Sequence, residues 1–193
     1  MLAIHQIEHP FQKLDIVREL FTEYVEGTRY SYTYSGDLNN DGSGLNDLIY
    51  IPSDADINNM AFTGDVNSQR TALKNYITQD KYLAGRRGQY AEKYGALAPW
   101  YSHWDFRVLQ DIKLQGQNNI QVSLDFLNFG NLLNSSWGVR EYATYTGLAQ
   151  PLAVSVAGSV PTYTFDTAQK TTFFNDFSLL SRWQMQLGLR YIF

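Results

Sequence analysis

The chain has 193 residues, enough for one sizeable domain, and its formal net charge of −4 gives no basic field for nucleic acid. Cysteine is absent, which excludes disulfides and thiolate metal sites, and aromatic residues reach 15%, a composition that suits β-strands and water–lipid interfaces. No stretch of about 18 apolar residues occurs, so a transmembrane helix is excluded, whereas a membrane β-strand needs only about 10 alternating residues.

Residues 1–20 form an atypical N-terminal segment. The segment lacks the basic leader and the long apolar core of a signal peptide. If the protein is exported, we therefore expect its true start to precede this chain. Leu14, Val17 and Phe21 recur at helical spacing, which predicts a short amphipathic helix over residues 11–21. We assign this segment no particular function.

The next predicted element is a strand over residues 21–34, whose alternation is blurred by Glu23 and Gly27. A first long loop follows over residues 35–99. Within this loop, residues 68–95 have a helix-like composition, which predicts short helices and turns.

The start of this loop has the spacing of a calcium-binding loop. Asp37, Asn39 and Asp41 place oxygen ligands at alternate positions, and a glycine follows at the sixth position for the sharp bend. The twelfth position should carry a bidentate carboxylate but is Leu48, so Asp47 is the nearest substitute. Alternatively these residues form a cluster of turns, because Asp, Asn and Gly favour turns without metal. Both interpretations stay open, and calcium is the only cofactor that the sequence indicates.

Two strands with period-two alternation follow, over residues 100–114 and 119–126. The short Gly-containing segment 115–117 between them predicts a hairpin. The apolar face carries aromatic residues at the strand ends and aliphatic residues in the middle, as lipid contact would require.

The register of this hairpin follows from matching the two apolar faces. Pairing Ile112 with Ile120 brings the two apolar sets together, because a shift by one residue would turn one set to the other face. The same register places Arg107 opposite Asp125 on the polar face. An ion pair at this position is expected if that face contacts water.

A second long loop, residues 134–180, contains a possible hairpin over residues 151–166 and leads to a last strand over residues 181–193. Arg182 and Arg190 lie on the polar face of that strand. Its other face is wholly apolar and consists of Trp183, Met185, Leu187, Leu189, Tyr191 and Phe193.

The order of elements is strand, long loop, strand, short turn, strand, long loop, strand. This order predicts an all-β chain that forms an antiparallel transmembrane β-barrel fragment with long extracellular loops, because a compact soluble domain seldom carries two such loops. Arg107, Asp125, Arg182 and Arg190 are predicted to face the lumen. The alternation alone also fits a soluble sandwich.

Five segments carry a resemblance to a known family and occur in the order expected for it. They are YSYTYSGDLNNDGSGLNDLIYIP (30–52), RRGQYAEKYGALAPW (86–100), WDFRVLQDIKL (104–114), SLDFLNFGNLLNSSWG (123–138) and FSLLSRWQMQLGLRYIF (177–193). Over roughly residues 28–193 the chain resembles the C-terminal part of the barrel of TonB-dependent outer-membrane receptors. The likeness is greatest to receptors with a carboxypeptidase-regulatory-like N-terminal domain.

The resemblance implies that residues 21–193 are C-terminal barrel strands and loops of such a receptor, in the outer membrane of a Gram-negative bacterium. It implies TonB-dependent uptake of an unknown small ligand, and an assembly signal at Tyr191 and Phe193 that the barrel-assembly machinery reads. The family's plug and most of its about 22 strands do not appear, so we expect a fragment. Its expected partners are outer-membrane lipid, the assembly machinery and the rest of the receptor.

A second hypothesis is a secreted calcium-binding β-domain for adhesion or carbohydrate binding. An enzyme has no support, because the hydroxyl-rich run at residues 31–33 has no paired base and the histidines are scattered. Nucleic acid is not an expected partner.

Overall fold

A computed structural model describes the backbone of residues 7–9, 12–114, 116–144, 146–158 and 160–193, and the side chains from residue 18 onward within these ranges. In this part of the chain the fold is mostly β, with few and short helices. The strands are β1 Ile7–His9, β2 Gln12–Val25, β3 Arg29–Tyr32, β4 Tyr50–Ile51, β5 Gln89–Tyr90, β6 Ala96–Leu97, β7 Tyr101–Lys113, β8 Asn119–Leu127, β9 Glu141–Tyr142, β10 Leu148–Ala149, β11 Leu152–Ala157, β12 Val160–Phe165, β13 Phe174–Asn175 and β14 Gln184–Ile192. The helices are α1 Asp54–Asn59, α2 Val66–Gln79, α3 Lys81–Ala84 and α4 Phe129–Leu133.

The helix predicted over residues 11–21 is wrong for its described part, which belongs to strand β2. This strand pairs antiparallel with β7 from Asp15–Asp111 to Val25–Tyr101. A continuous ladder of backbone hydrogen bonds outweighs the weak helical spacing of three apolar residues, because propensity is easily overridden by tertiary pairing. Residues 1–6, Pro10 and Phe11, also included in the predicted N-terminal segment, lie outside the described residues.

The strand predicted over residues 21–34 is divided between two sheets. Strand β2 ends at Val25, and β3 pairs instead with β6 and β10. Gly27 lies at the break, where a Cβ would stand 2.1 Å from the backbone oxygen of Ala98. Only glycine permits that close approach of two backbone segments.

The largest sheet has the order β1-β2-β7-β8-β14, and each neighbouring pair is antiparallel. Both long connections, from Val25 to Tyr101 and from Leu127 to Gln184, begin and end at one end of this sheet. The other end of the β7–β8 pair is closed by a tight turn. Among the described residues the edge strands β1 and β14 do not pair with each other, so the sheet is open and no barrel is closed.

The predicted register of the β7–β8 hairpin is confirmed. Ile112 pairs with Ile120, and Arg107 pairs with Asp125. In the turn, Gly116 adopts a φ of 75°, which favours glycine. Gln115, the first residue of the predicted turn, lies outside the described residues.

The chain divides into two compact units. The sheet unit takes in the described residues of Met1–Glu26, Trp100–Arg140 and Asn175–Phe193. The loop unit consists of Gly27–Pro99 and Glu141–Phe174, apart from residues 145 and 159, which the structure does not describe.

The loop unit contains the short helices and the hairpin that the sequence predicts. Helix α1 begins with a capping box, in which Ser53 and Asp56 bond each other's backbone N–H groups. Helix α2 begins at the N-cap Asp65, whose side chain accepts from the Ser68 N–H. Strands β11 and β12 form the second-loop hairpin. Local caps and turn residues thus determine where these elements begin.

Candidate functional site

The apolar residues of β7, β8 and β14 form one continuous face of the sheet. The registers of the three strands align them in rows, which are Phe106–Phe126–Met185, Val108–Leu124–Leu187 and Ile112–Ile120–Tyr191. On the edge strand, Leu187 is 72% exposed and Leu189 is 77% exposed. The sheet unit therefore presents an apolar surface that is partly exposed on β7 and β8 and largely exposed on β14.

The loop unit differs sharply in this respect. Every fully buried apolar side chain among the described residues belongs to it, including Tyr32, Ile57, Tyr76, Leu152 and Phe165. Burying a large apolar side chain contributes about 1.5–3 kcal/mol. The loop unit thus buries its apolar side chains in a core of its own, whereas the large apolar residues of the sheet unit are partly or fully exposed.

The opposite face of the sheet carries three of the four residues predicted to face a lumen. Arg107 and Asp125 form an ion pair across β7 and β8. Arg190 pairs in register with Gln121, whose side chain donates to Asp111 (2.9 Å). These charged and amide groups share one face because their positions alternate with those of the apolar rows.

Arg182 is separate from this group. It precedes β14, and its backbone N–H closes a single 3₁₀ turn by donating to the Leu179 oxygen (3.2 Å). The structure therefore brings Arg107, Asp125 and Arg190 to one sheet face and leaves Arg182 outside the paired strand.

Aromatic side chains gather at both ends of the apolar face. At the end with the long connections, the ring of Phe129 in α4 lies 5.8 Å from that of Phe126, and Trp104 lies 6.1 Å from Trp137. At the other end the rings of Tyr191 and Phe193 stack 6.0 Å apart and are exposed. The role of Tyr191 and Phe193 as an assembly signal stays a prediction.

The calcium-like motif forms a tightly hydrogen-bonded loop. The Asp37 carboxylate accepts from the backbone N–H groups of Asp41 (3.2 Å) and Gly42 (2.8 Å), and Asp47 accepts from Leu38 N (2.7 Å). Asn39 Oδ1 accepts from Asp41 N (2.9 Å). These are the bonds of a turn cluster.

The Asp41 carboxylate also takes part in the hydrogen bonds of this loop. A hydrogen bond from the Asn46 amide, followed by one from the Ser43 N–H, lowers the pKa of Asp41. In the part of the chain that the structure describes, no group of three or more acidic or histidine side chains is placed to hold a metal ion. The calcium prediction for Asp37, Asn39, Asp41 and Asp47 therefore gains no support from this geometry.

The sequence interpretation missed a polar network inside the loop unit. The buried Asp80 carboxylate accepts from the hydroxyls of Tyr32 and Thr172, both at 2.7 Å, and from the Leu83 N–H at 2.9 Å. Burial raises the pKa of the Tyr32 phenol well above its usual range. The alternating tyrosines of YSYTY, residues 30–34, were the available signal, but nothing local predicts their acidic partner.

The loop unit also has an open aromatic cleft of about 330 Å³, lined among others by Tyr34, Tyr50, Asp56 and Tyr163. The rings of Tyr34 and Tyr163 lie 6.1 Å apart. The Tyr50 hydroxyl donates to Asp56 (3.2 Å), and hydrogen bonds from Ser53 lower the pKa of Asp56. The cleft thus combines ring faces with one ionised carboxylate.

Comparison with known proteins gives no identification: no protein family, no curated protein and no solved structure matches this chain. Within the described residues, no helix has the length and apolar character needed to cross a membrane.

Proposed function

We propose that this chain is the C-terminal part of the barrel of a TonB-dependent outer-membrane receptor and serves in ligand uptake. The observation that carries the proposal is the uncovered apolar face of β7, β8 and β14, in which Leu187 and Leu189 are among the most exposed side chains. In water such a face is unfavourable, and exposed patches of this kind mark membrane or protein contacts. Lipid on one face and water on the other account for both sides of the sheet.

The connections of the sheet support the same proposal. Outer-membrane barrels have long loops on the outer side and short turns on the periplasmic side. Here both long connections leave one end of the sheet, and a tight turn closes the β7–β8 pair at the other end. We propose that the loop unit lies outside the cell and that its aromatic cleft is the candidate for contact with a small ligand.

The open edges of the sheet define the partners that this function needs. Strands β1 and β14 expose backbone groups that further strands would satisfy. We propose that the remaining strands and the plug of the receptor complete the barrel, and that the assembly machinery inserts it through Tyr191 and Phe193.

The proposal is tested by refolding the full chain from urea with and without phosphatidylcholine vesicles, followed by flotation. We expect the chain to float with the vesicles and to aggregate without them, because an uncovered apolar face and open edges promote association. A monomeric chain that stays in the aqueous fraction and ignores the vesicles would contradict the proposal. That outcome would favour a secreted β-domain, which calcium titration would then examine.

A further inference from the structure

We propose that a cavity lined by Trp104 and Trp137 binds the ester-linked acyl chain of one membrane lipid. The cavity has a volume of about 260 Å³ and is lined by Ser102, Trp104, Gly130, Trp137 and Gly138. An apolar cavity of about 150 Å³ already accommodates a benzene-sized molecule. The space is therefore sufficient for a segment of a hydrocarbon chain. This inference rests on the proposed membrane location of the sheet.

The cavity belongs to the apolar face of the sheet. Ser102 and Trp104 alternate with the polar positions of β7, and they pair with Tyr24 and Thr22 of β2. They lie at the end of β7 that the long connection from Val25 enters. In a barrel, that end is the level of the aromatic girdle, where lipid chains meet their ester groups.

The wall formed by Trp137 is held in place by hydrogen bonds to and from its backbone groups. The Asn131 amide donates to the Trp137 oxygen (2.9 Å), and the Trp137 N–H donates to the Asn134 oxygen (2.9 Å). Gly138 has a φ of 62°, and a Cβ there would stand 1.9 Å from Asn128 Oδ1. The backbone that carries the second indole is thus fixed by the fold, and the two rings contact each other beside the cavity, with centroids 6.1 Å apart.

One polar atom in this apolar site has no partner. The indole N–H of Trp104 is buried, and no described residue accepts a hydrogen bond from it. A buried indole N–H normally finds an acceptor, and leaving it unpaired is unfavourable. Hydrocarbon alone offers no acceptor. A water molecule would need two to four polar partners; besides Trp104, the side chains of the lining offer the Ser102 hydroxyl and the Trp137 indole N–H, and of these only the hydroxyl can accept a hydrogen bond.

These features define the chemistry of the occupant. It has an apolar body that fits beside the two indoles and a hydrogen-bond acceptor at the level of Trp104. An acyl chain with its ester carbonyl has both, and in the proposed location such lipids surround the face. The occupant is therefore a bilayer lipid.

The experiment uses the full chain in vesicles of phosphatidylcholine with brominated acyl chains, which quench tryptophan on contact. Flotation is measured first, so that failure to bind vesicles overturns the proposed function and, with it, this inference. The Trp104 signal is the difference between the wild type and Trp104→Phe. We expect strong quenching of this signal by the brominated chains and little quenching by acrylamide in the water.

Filling the cavity provides the decisive comparison. In Gly130→Leu the added side chain should occupy the space and abolish the Trp104 quenching. In Gly130→Ala, which fits because its Cβ would lie 3.8 Å from Trp137 and 4.0 Å from Trp104, the quenching should fall in part. Leu133→Ala, an exposed change on the same helix but outside the lining, is the matched control and should leave it unchanged.

Three results, the last of which concerns the ester, would overturn the inference while the chain still floats. The first is quenching by brominated chains that neither Gly130 variant reduces. The second is a Trp104 signal that acrylamide quenches as readily as the lipid does, which would mean a water-filled cavity. A diether lipid, which lacks the ester carbonyl, should reduce the quenching, and equal quenching would refute the role of the ester.

Discussion

Asp80 is the residue on which the interior of the loop unit depends most. Its side chain is 4% exposed, and no described cation forms an ion pair with it. Hydrogen bonds from Tyr32, Thr172 and the Leu83 N–H replace the lost hydration. Burying a carboxylate in this way is tolerated only when its oxygens are satisfied.

Replacing Asp80 by alanine leaves the hydroxyls of Tyr32 and Thr172 without their acceptor. Each unpaired buried donor costs about 1–3 kcal/mol, so Asp80→Ala should lower the free energy of unfolding by about 3 kcal/mol. Asp80→Asn should cost less, because the amide oxygen still accepts from Leu83 and its NH₂ can donate to the reoriented hydroxyls. Urea unfolding followed by the near-ultraviolet circular dichroism of the tyrosines measures both.

A matched control separates capping from burial, since Asp80 also caps α3. Asp65 caps α2 in the same manner but is exposed. Asp65→Ala should therefore be milder than Asp80→Ala. Equal effects of these two substitutions would contradict the importance of the buried network.

The buried tyrosines make the loop unit sensitive to alkali. Burial raises the pKa of Tyr30, Tyr32 and Tyr34 above the ordinary value of 10.0. These phenols stay neutral in the folded state at a pH where the unfolded chain ionises. The associated stability is complete below pH 10.0 and is lost progressively as the pH rises further.

A spectroscopic pH titration of tyrosinate absorbance measures this effect. We expect these three phenols to ionise in a cooperative step together with the loss of the near-ultraviolet circular dichroism signal. In Tyr32→Phe the amplitude of that step should decrease. Smooth ionisation of all tyrosines with the fold intact would be inconsistent with their burial.

At the scale of elements, β14 combines two chemically different faces in one strand. Leu187 lies in register with Leu124 on the apolar face, and its neighbour Gln186 lies in register with Asp125 on the polar face. Substituting adjacent residues of this strand therefore probes the two faces while the backbone stays the same.

Leu187→Arg should strongly reduce binding of the chain to vesicles, because arginine on a lipid-facing position near the bilayer midplane costs about 2–4 kcal/mol. Gln186→Arg is the control and should be tolerated, since it adds a cation beside Asp125 on the wet face. The vesicle-bound fraction after flotation is measured across a urea series. If Gln186→Arg were as damaging as Leu187→Arg, the assignment of the faces would be wrong.

The elements differ in how far the sequence predicts them. The β7–β8 register could be predicted from the period-two alternation of apolar residues and from one short turn. A shift by one residue would move every apolar side chain of one strand to the polar face of the sheet. The beginning of β2 could not be predicted, since its pairing with β7 joins segments separated by the whole loop unit. Asp80 was missed for the same reason, as its partner Thr172 is distant in sequence.

For the molecule as a whole, the central feature is the unequal distribution of buried apolar side chains. The loop unit has a core, whereas the described large apolar residues of the sheet unit are partly or fully exposed. The sequence predicted the long loops but gave no sign that residues 27–99 and 141–174 form a compact unit of their own, because its core joins alternating tyrosines with helices and a hairpin from two separate segments.

The most direct measurement is a cysteine scan of β14 in lipid vesicles. Because the chain has no native cysteine, each label attaches only at the introduced position. Single cysteines at positions 184–192 carry nitroxide labels, and their accessibility to oxygen and to a water-soluble nickel complex is measured. We predict period-two alternation, with odd positions accessible to oxygen in the lipid and even positions accessible to nickel in the water. Labels that show no alternation, or odd positions accessible to nickel, would contradict the account.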